Sequence, residues 1–224
     1  MLKKNAFILF LKYPERGAVK TRLASSLGDG LTCELYRCFL RDISVMTRQI
    51  KAEAIIVYSG PEGLSFSDFP GVQCLRQRGN NIGRRMYNAF ADVFAQGYER
   101  CVLIGSDSPD LPALLVNDAF DKLDLADVVL GPSEDGGYYL IGCKQPNLRA
   151  SIFRNINWST AGVFTETIKR LAKAELKYFL LQHWTDIDEF EDLKNFYKRN
   201  SFRSKESQVM QFLIAKGIMN ENRS

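Results

Sequence analysis

Cys101-Val102-Leu103-Ile104-Gly105-Ser106-Asp107-Ser108-Pro109-Asp110 is an uninterrupted apolar run that stops at a glycine and gives way to an acidic loop. The same arrangement recurs at Val128-Val129-Leu130-Gly131-Pro132-Ser133-Glu134-Asp135-Gly136-Gly137. A helical pattern over residues 112–123 separates the two, so together they have about the length of a βαβ unit. Successive parallel strands end at one edge of a sheet, which lets Asp107 and Asp135 meet in a single crevice. Carboxylates paired at strand ends suit a hard divalent cation and, through it, a phosphorylated ligand.

The same alternation extends in both directions. Ala6 to Leu11 and Ala54 to Tyr58 are continuous apolar runs without a polar face, as expected of strands covered on both sides. Val72 to Leu75 reads as a short third strand, Tyr138 to Gly142 as a strand entered from Gly136-Gly137, and Tyr178 to Leu181 as a last one. Helical spacing appears over residues 31–50, 81–96, 160–174 and 188–197. The pattern predicts a three-layer α/β/α fold with a mostly parallel sheet. It predicts a single domain over residues 1–200, with an amphipathic helical tail at 201–224 packed on it or extending from it.

Composition narrows the function classes. The chain has 224 residues, is 46% hydrophobic and carries a net charge of +4. That apolar content is globular, and no dense Lys/Arg tract marks a nucleic-acid partner. A mild basic excess beside acidic loops fits an anionic ligand held partly through metal. Five cysteines without a Cys-x-x-Cys pair read as reduced thiols, which gives the expectation of a cytoplasmic protein. A single histidine, His183, argues against a His-rich zinc site or a Ser-His-Asp triad. The apolar run after Met1-Leu2-Lys3-Lys4-Asn5 is too short for a signal segment, and no stretch is long enough to span a bilayer.

Five segments can carry chemistry. The loop after the first strand holds Lys12, Arg16, Gly17, Lys20, Thr21 and Arg22 at the ligand-binding edge of an α/β sheet. Lysine there meets phosphate as a point charge and arginine in bidentate fashion. Lys20-Thr21 is not a P-loop, because Val19 stands where that motif needs glycine. In the second segment, Ser106 and Asp107 lie just past a strand. Asp107 is a candidate cation ligand, whereas Asp110 is placed to cap the following helix. In the third, Gly136 and Gly137 let a ligand approach the backbone and Tyr138 can line a pocket; a tight turn between two strands accounts for the same residues. In the fourth, Ser159 or Thr160 can cap a helix whose first amides could also hold a phosphate. In the fifth, Asp188 with Glu191 has the form of a capping box, and Asp186 or Asp188 could supply a further metal ligand.

In this order the motifs resemble those of the nucleotide-diphospho-sugar transferase superfamily, which has a GT-A-like fold. The matching stretches are Phe10-x-Lys12-x-Pro14-x-x-Gly17-x-x-Lys20-Thr21-Arg22-Leu23, Gly105 to Leu111, Gly131-Pro132-x-x-Asp135-Gly136-Gly137-Tyr138-Tyr139-Leu140, Trp158-Ser159-Thr160 and Asp186-Ile187-Asp188. More narrowly they are similar to a bacterial family called DUF2064 or selenodomain-associated transferase 1, which is also labelled as arsenosugar-type glycosyltransferases. Guanylyltransferases acting on phospholactate or phosphoenolpyruvate are related, and molybdenum-cofactor guanylyltransferases more distantly so. The resemblance implies a nucleotide at the first-strand loop and Mg²⁺ or Mn²⁺ held by Asp107 and Asp135. Asn80 to Met86 departs from the family at Asn81 and Arg84, while Arg85 keeps the pattern and is expected to face the pocket.

The expected protein is therefore a metal-dependent transferase that binds a nucleotide or nucleotide-diphospho-sugar and a small-molecule acceptor. Lys20, Arg22 and Asp107 are the candidate catalytic residues, and Asp107, Asp135 and Asp188 the candidate metal ligands. Glycosyl transfer, nucleotidyl transfer to a small phosphorylated acid and non-catalytic nucleotide binding all stay open, as does a homodimer.

Overall fold

The computed structural model describes residues 3–219; residues 1–2 and 220–224, at the two ends of the expected domain and tail, lie outside the described residues. One sheet of seven strands runs through the molecule in the order β3-β2-β1-β4-β6-β5-β7. The strands are β1 (Lys3–Lys12), β2 (Glu53–Ser59), β3 (Gln73–Arg76), β4 (Tyr98–Ile104), β5 (Val128–Pro132), β6 (Tyr138–Lys144) and β7 (Tyr178–Leu180). The helices are α1 (Thr21–Leu27), α2 (Asp29–Thr47), α3 (Ile82–Phe94), α4 (Ala113–Lys122), α5 (Val163–Lys173), α6 (Phe190–Arg199) and α7 (Gln208–Ala215).

The unbroken apolar strands serve two cores, one on each face. Along β1, Phe7, Leu9 and Leu11 enter one core and Ala6, Ile8 and Phe10 the other, following the two-residue period of a strand. The first core is closed by α2, α4, α6 and α7, through residues such as Phe39, Phe120, Phe196 and Leu213. The second is closed mainly by α3 and α5, through Phe90, Val93 and Leu171. The α/β/α sandwich expected from the sequence is thus present.

The pairing of β4 with β5 is less direct than a simple βαβ unit. The strand β6 lies between them and is antiparallel to both, with Cys101 opposite Cys143 and Val128 opposite the same Cys143. Two antiparallel pairings restore the direction, so β4 and β5 still run the same way and their loops share one edge. The turn from β5 to β6 carries Asp135, Gly136 and Gly137, as a hairpin reading of that segment requires.

Several local expectations are corrected. The segment around Thr21 is not all loop, because α1 begins there directly after Lys20. Neither Ser159 nor Thr160 caps α5, which starts at Val163 with Gly162 at its cap and no side-chain cap bond. The Thr160 hydroxyl instead donates to the Asn157 carbonyl at 2.8 Å. The capping box of α6 is one residue later than expected, between Glu189 and Asp192. Asp110 does not cap α4. Its side chain is 4% exposed and bonds Arg199 at 2.7 Å, while the Asn200 amide donates to it at 2.7 Å. A buried carboxylate needs such partners, so it fixes the end of α6 against the β4 loop.

The C-terminal tail is fastened by the same means. Asp42, buried on α2, accepts hydrogen bonds from the Ser207 hydroxyl at 2.6 Å and the Gln208 amide at 2.7 Å. The Gln208 amide, like that of Val209 at 3.2 Å, is one of the free backbone donors at the start of α7. Val209, Met210 and Leu213 then enter the first core.

Candidate functional site

A cleft with a volume of 780 Å³ opens at the edge where β1, β4 and β5 end. Its size lies in the range of small-molecule sites. The loop after β1, the loop after β4, the β5–β6 turn and the segment just before α6 bring charged side chains into it.

The last segment is stitched into place by the backbone. The Ile187 amide donates to the Asp107 carbonyl at 2.9 Å, the Ser108 hydroxyl to the Thr185 carbonyl at 3.2 Å, and the Trp184 amide to the Pro132 carbonyl at 3.1 Å. This clamps Asp186 and Asp188 between the β4 loop and the β5–β6 turn. Because the capping box uses Glu189 and Asp192, the Asp188 carboxylate is free to face the cleft.

Lys20 is the centre of the charge arrangement. Its ammonium lies 2.6 Å from an Asp107 oxygen and 3.4 Å from an Asp188 oxygen, and its side chain is only 5% exposed. Burial acts to lower its pKa, but Asp107 and then Asp188 outweigh it and raise the value. The backbone of Lys20 is left-handed, with φ 48° and ψ 49°, a conformation uncommon for a side-chain-bearing residue. It turns the chain sharply into α1 and points the ammonium inward.

Arg22 is half out in solvent and meets Asp188 at 3.1 Å. An exposed pair of this kind contributes little to stability. Burial, and next the neighbouring Asp135, push the carboxyl of Asp186 up to about 6. Asp186 also lies in the field of Lys20, which acts to lower its carboxyl but is outweighed.

Asp135 has a second duty. One of its oxygens accepts the Gly137 amide at 2.8 Å and the Ser133 hydroxyl, which closes the turn. The expected candidates Lys12, Thr21, Arg85, Ser106, Gly137, Tyr138, Ser159 and Thr160 all line the cleft with Lys20, Arg22, Asp107, Asp135 and Asp188. Arg85 is held by the Gly79 carbonyl, to which it donates at 3.0 Å.

Gly17 and Gly136 do not line it. Gly17 turns the basic loop at φ 78°, with the Asp29 carboxylate beside it. Gly136 has φ 84°, and a side chain there would run into the backbone of Ala161. It therefore lets the β5–β6 turn pack on the Trp158–Ala161 loop, and its carbonyl accepts the Phe164 amide at 2.8 Å.

Tyr36 and Gln77 also line the cleft and carry no signal in the sequence. Tyr36, deep on α2, pairs its hydroxyl with that of Ser106 at 2.7 Å and donates to the Lys12 carbonyl at 3.2 Å in the alternative arrangement. Burial raises its pKa far above the usual phenol value, so it stays protonated. In sequence it is one more apolar-stripe position. Gln77 donates to the carbonyls of Leu11 and Val57, joining the ends of β1 and β2. Trp158 shows its ring edge over Gly83 at the cleft wall.

The acids supply the hard oxygen donors that Mg²⁺ and Mn²⁺ prefer. Asp107, Asp135, Asp186 and Asp188 all line the same cleft, so such donors are available from more than one segment. Among the described residues, however, no three His, Cys, Asp or Glu side chains already form a cluster that could hold a metal ion. The ammonium of Lys20 stands between two of the acids. Among the described residues no helix is long and apolar enough to cross a membrane.

The mostly parallel α/β/α sheet, with cations and acids gathered at its carboxyl edge, is a nucleotide-diphospho-sugar transferase-like fold, the fold of known transferases. The chain's similarity to a protein from Desulfovibrio desulfuricans G20, provisionally named a nucleotide-diphospho-sugar transferase, spans nearly everything: 34% identity over 96% of this chain and 95% of that one, with a TM-score of 0.88. The chain belongs to the DUF2064 family, described as uncharacterized protein conserved in bacteria, whose model matches residues 43–160. Two remote neighbours share the fold. CMP:2-keto-3-deoxy-manno-octonic acid synthetase complexed with CTP has 10% identity over 89% of this chain and 99% of that one, at a TM-score of 0.56. Rv0371c from Mycobacterium tuberculosis H37Rv, in complex with manganese, has 12% identity over 88% and 98%, at 0.52. No curated protein matches the chain.

Proposed function

We propose that the protein is a divalent-cation-dependent transferase that binds a nucleotide-diphospho-sugar in the cleft and transfers its glycosyl group to a small-molecule acceptor. The observation that carries this reading is the convergence of Lys20, Asp107, Asp135 and Asp188 in one cleft at the carboxyl edge of the sheet. The name of the 34% relative supports the donor class.

Asp107, Asp135 and Asp188 would hold Mg²⁺ or Mn²⁺, which supplies Lewis-acid neutralisation of the diphosphate. The chain's own groups do the rest. Lys20 is a fixed ammonium in a poorly hydrated position, where it stabilises negative charge growing on the leaving phosphate more than it could in water. Arg22 and Arg85 sit at the cleft rim as further phosphate partners. The Tyr36 hydroxyl keeps Ser106 oriented on the cleft floor. Tyr138 and Trp158 offer apolar walls that exclude water from the ligand.

Nucleotidyl transfer to a small phosphorylated acid is the second reading, and the buried Lys20 favours it. A triphosphate carries more charge than a sugar diphosphate and makes more use of a fixed cation. The two reactions leave different products. Incubation with UDP- and GDP-sugars should release nucleoside diphosphate, whereas a nucleotidyltransferase releases pyrophosphate from one of the nucleoside triphosphates. Pyrophosphate release dependent on a small phospho-acid, with intact nucleotide-sugars, would overturn the glycosyl reading. Nucleotide binding that ignores metal and survives Asp107→Ala would overturn both and leave a non-catalytic binding module.

A further inference from the structure

The cation that the acids of the cleft call for is already present in another form. Asp107 comes from the β4 loop and Asp188 from the segment before α6, and the Lys20 ammonium touches both, at 2.6 Å and 3.4 Å. A divalent cation shared by these two carboxylates would need the space this ammonium fills. Two positive charges there repel each other strongly, because the partly buried position leaves little water to screen them. Lys20 is held there firmly. Its side chain is 5% exposed, its backbone is fixed in the left-handed region, and α1 follows it directly.

We propose that Lys20 is the built-in counter-ion of the unliganded cleft: it keeps Asp107 and Asp188 neutralised, and it gives up Asp107 to a divalent cation when phosphate oxygens are there to receive its ammonium. This rests on the metal-dependent reading above and adds an order to it. Metal alone competes with Lys20 for Asp107. Metal together with a phosphorylated ligand does not, since the displaced ammonium finds a new anion. Metal and nucleotide affinities are then positively coupled through one side chain, and coupling of this kind is reciprocal. At Asp188 the duty is shared with Arg22, 3.1 Å away, so the 2.6 Å contact with Asp107 is where Lys20 counts most.

The test uses the full chain and Mn²⁺ alone, with binding followed by electron paramagnetic resonance. The wild type should take up Mn²⁺ weakly. Lys20→Met and Lys20→Gln should each bind it at least about tenfold more tightly, the size of a typical coupling, while Lys20→Arg stays close to wild type. Circular dichroism confirms that each variant is folded. A second measurement needs no variant: acetic anhydride labelling of the wild type, read by mass spectrometry, should modify Lys20 slowly in metal-free protein and faster with saturating Mn²⁺. Equal Mn²⁺ affinity in wild type and both neutral variants, or labelling of Lys20 that Mn²⁺ does not change, overturns the inference and leaves the metal-dependent transferase reading standing. Absence of Mn²⁺ binding in every form, with and without GTP or a UDP-sugar, overturns both together.

Discussion

At the scale of single residues, position within a loop decides what a carboxylate does. Asp107 and Asp110 are three residues apart in one acidic loop, yet one faces the cleft and the other is buried as a strut. Asp107→Asn should keep the fold and lower kcat/KM on the order of a hundredfold, because it removes both a donor to the cation and the partner that orients Lys20. Steady-state kinetics beside a thermal melt separates the two effects. Asp110→Ala should do the reverse. It leaves Arg199 and Asn200 without their acceptor and should cost about 3 kcal/mol in a urea unfolding experiment, as expected when one partner of a buried pair is removed. Gly136→Ala probes the turn. A methyl group there meets the Ala161 backbone at a left-handed position, so stability should fall by about 2 kcal/mol. The sequence set Asp107 apart as a ligand candidate and Asp110 as a helix cap; the structure puts Asp107 in the cleft and makes Asp110 a buried strut instead of a cap. The partners of Asp110, on residues 184 and 199–200, are too distant along the chain for spacing to reveal them.

At the scale of elements, the apolar strands were legible because a strand covered on both faces has no polar alternation to confuse. Helix ends were less so. The Ser159-Thr160 and Asp188–Glu191 patterns have the chemistry of caps, but α5 and α6 begin two or three residues further on, where backbone packing against the β5–β6 turn and the Glu189–Asp192 box decide the start. The helix α1 escaped notice because the basic residues before it dominate the local pattern. The anchor of α7 is an element-scale effect: Asp42→Ala would leave the Ser207 hydroxyl and the amides of Gln208 and Val209 unpaired in a buried place. A loss of about 2 kcal/mol is expected, together with faster hydrogen exchange confined to α7, measurable by mass spectrometry.

At the scale of the whole molecule, α7 packs into one of the two cores that the sheet separates. Val209, Met210, Leu213 and Ile218 complete the same core as Phe39 and Phe196. We therefore expect a single cooperative transition in calorimetry, and a chain cut before Ser207 to aggregate or melt without a sharp midpoint. The cleft is likewise a property of the whole: its charged wall is assembled from five segments spread from Lys12 to Asp188.

The sequence by itself determined the three-layer fold, the edge at which the cleft opens, and most of the charged side chains that line it, because hydrophobic period and glycine-punctuated loops are local signals. Only the tertiary structure decided that β6 inserts antiparallel between β4 and β5, that Asp110 is a strut, and that Lys20 lies between Asp107 and Asp188. Those outcomes depend on contacts between segments distant along the chain, where burial and charge pairing, rather than spacing, select the partner.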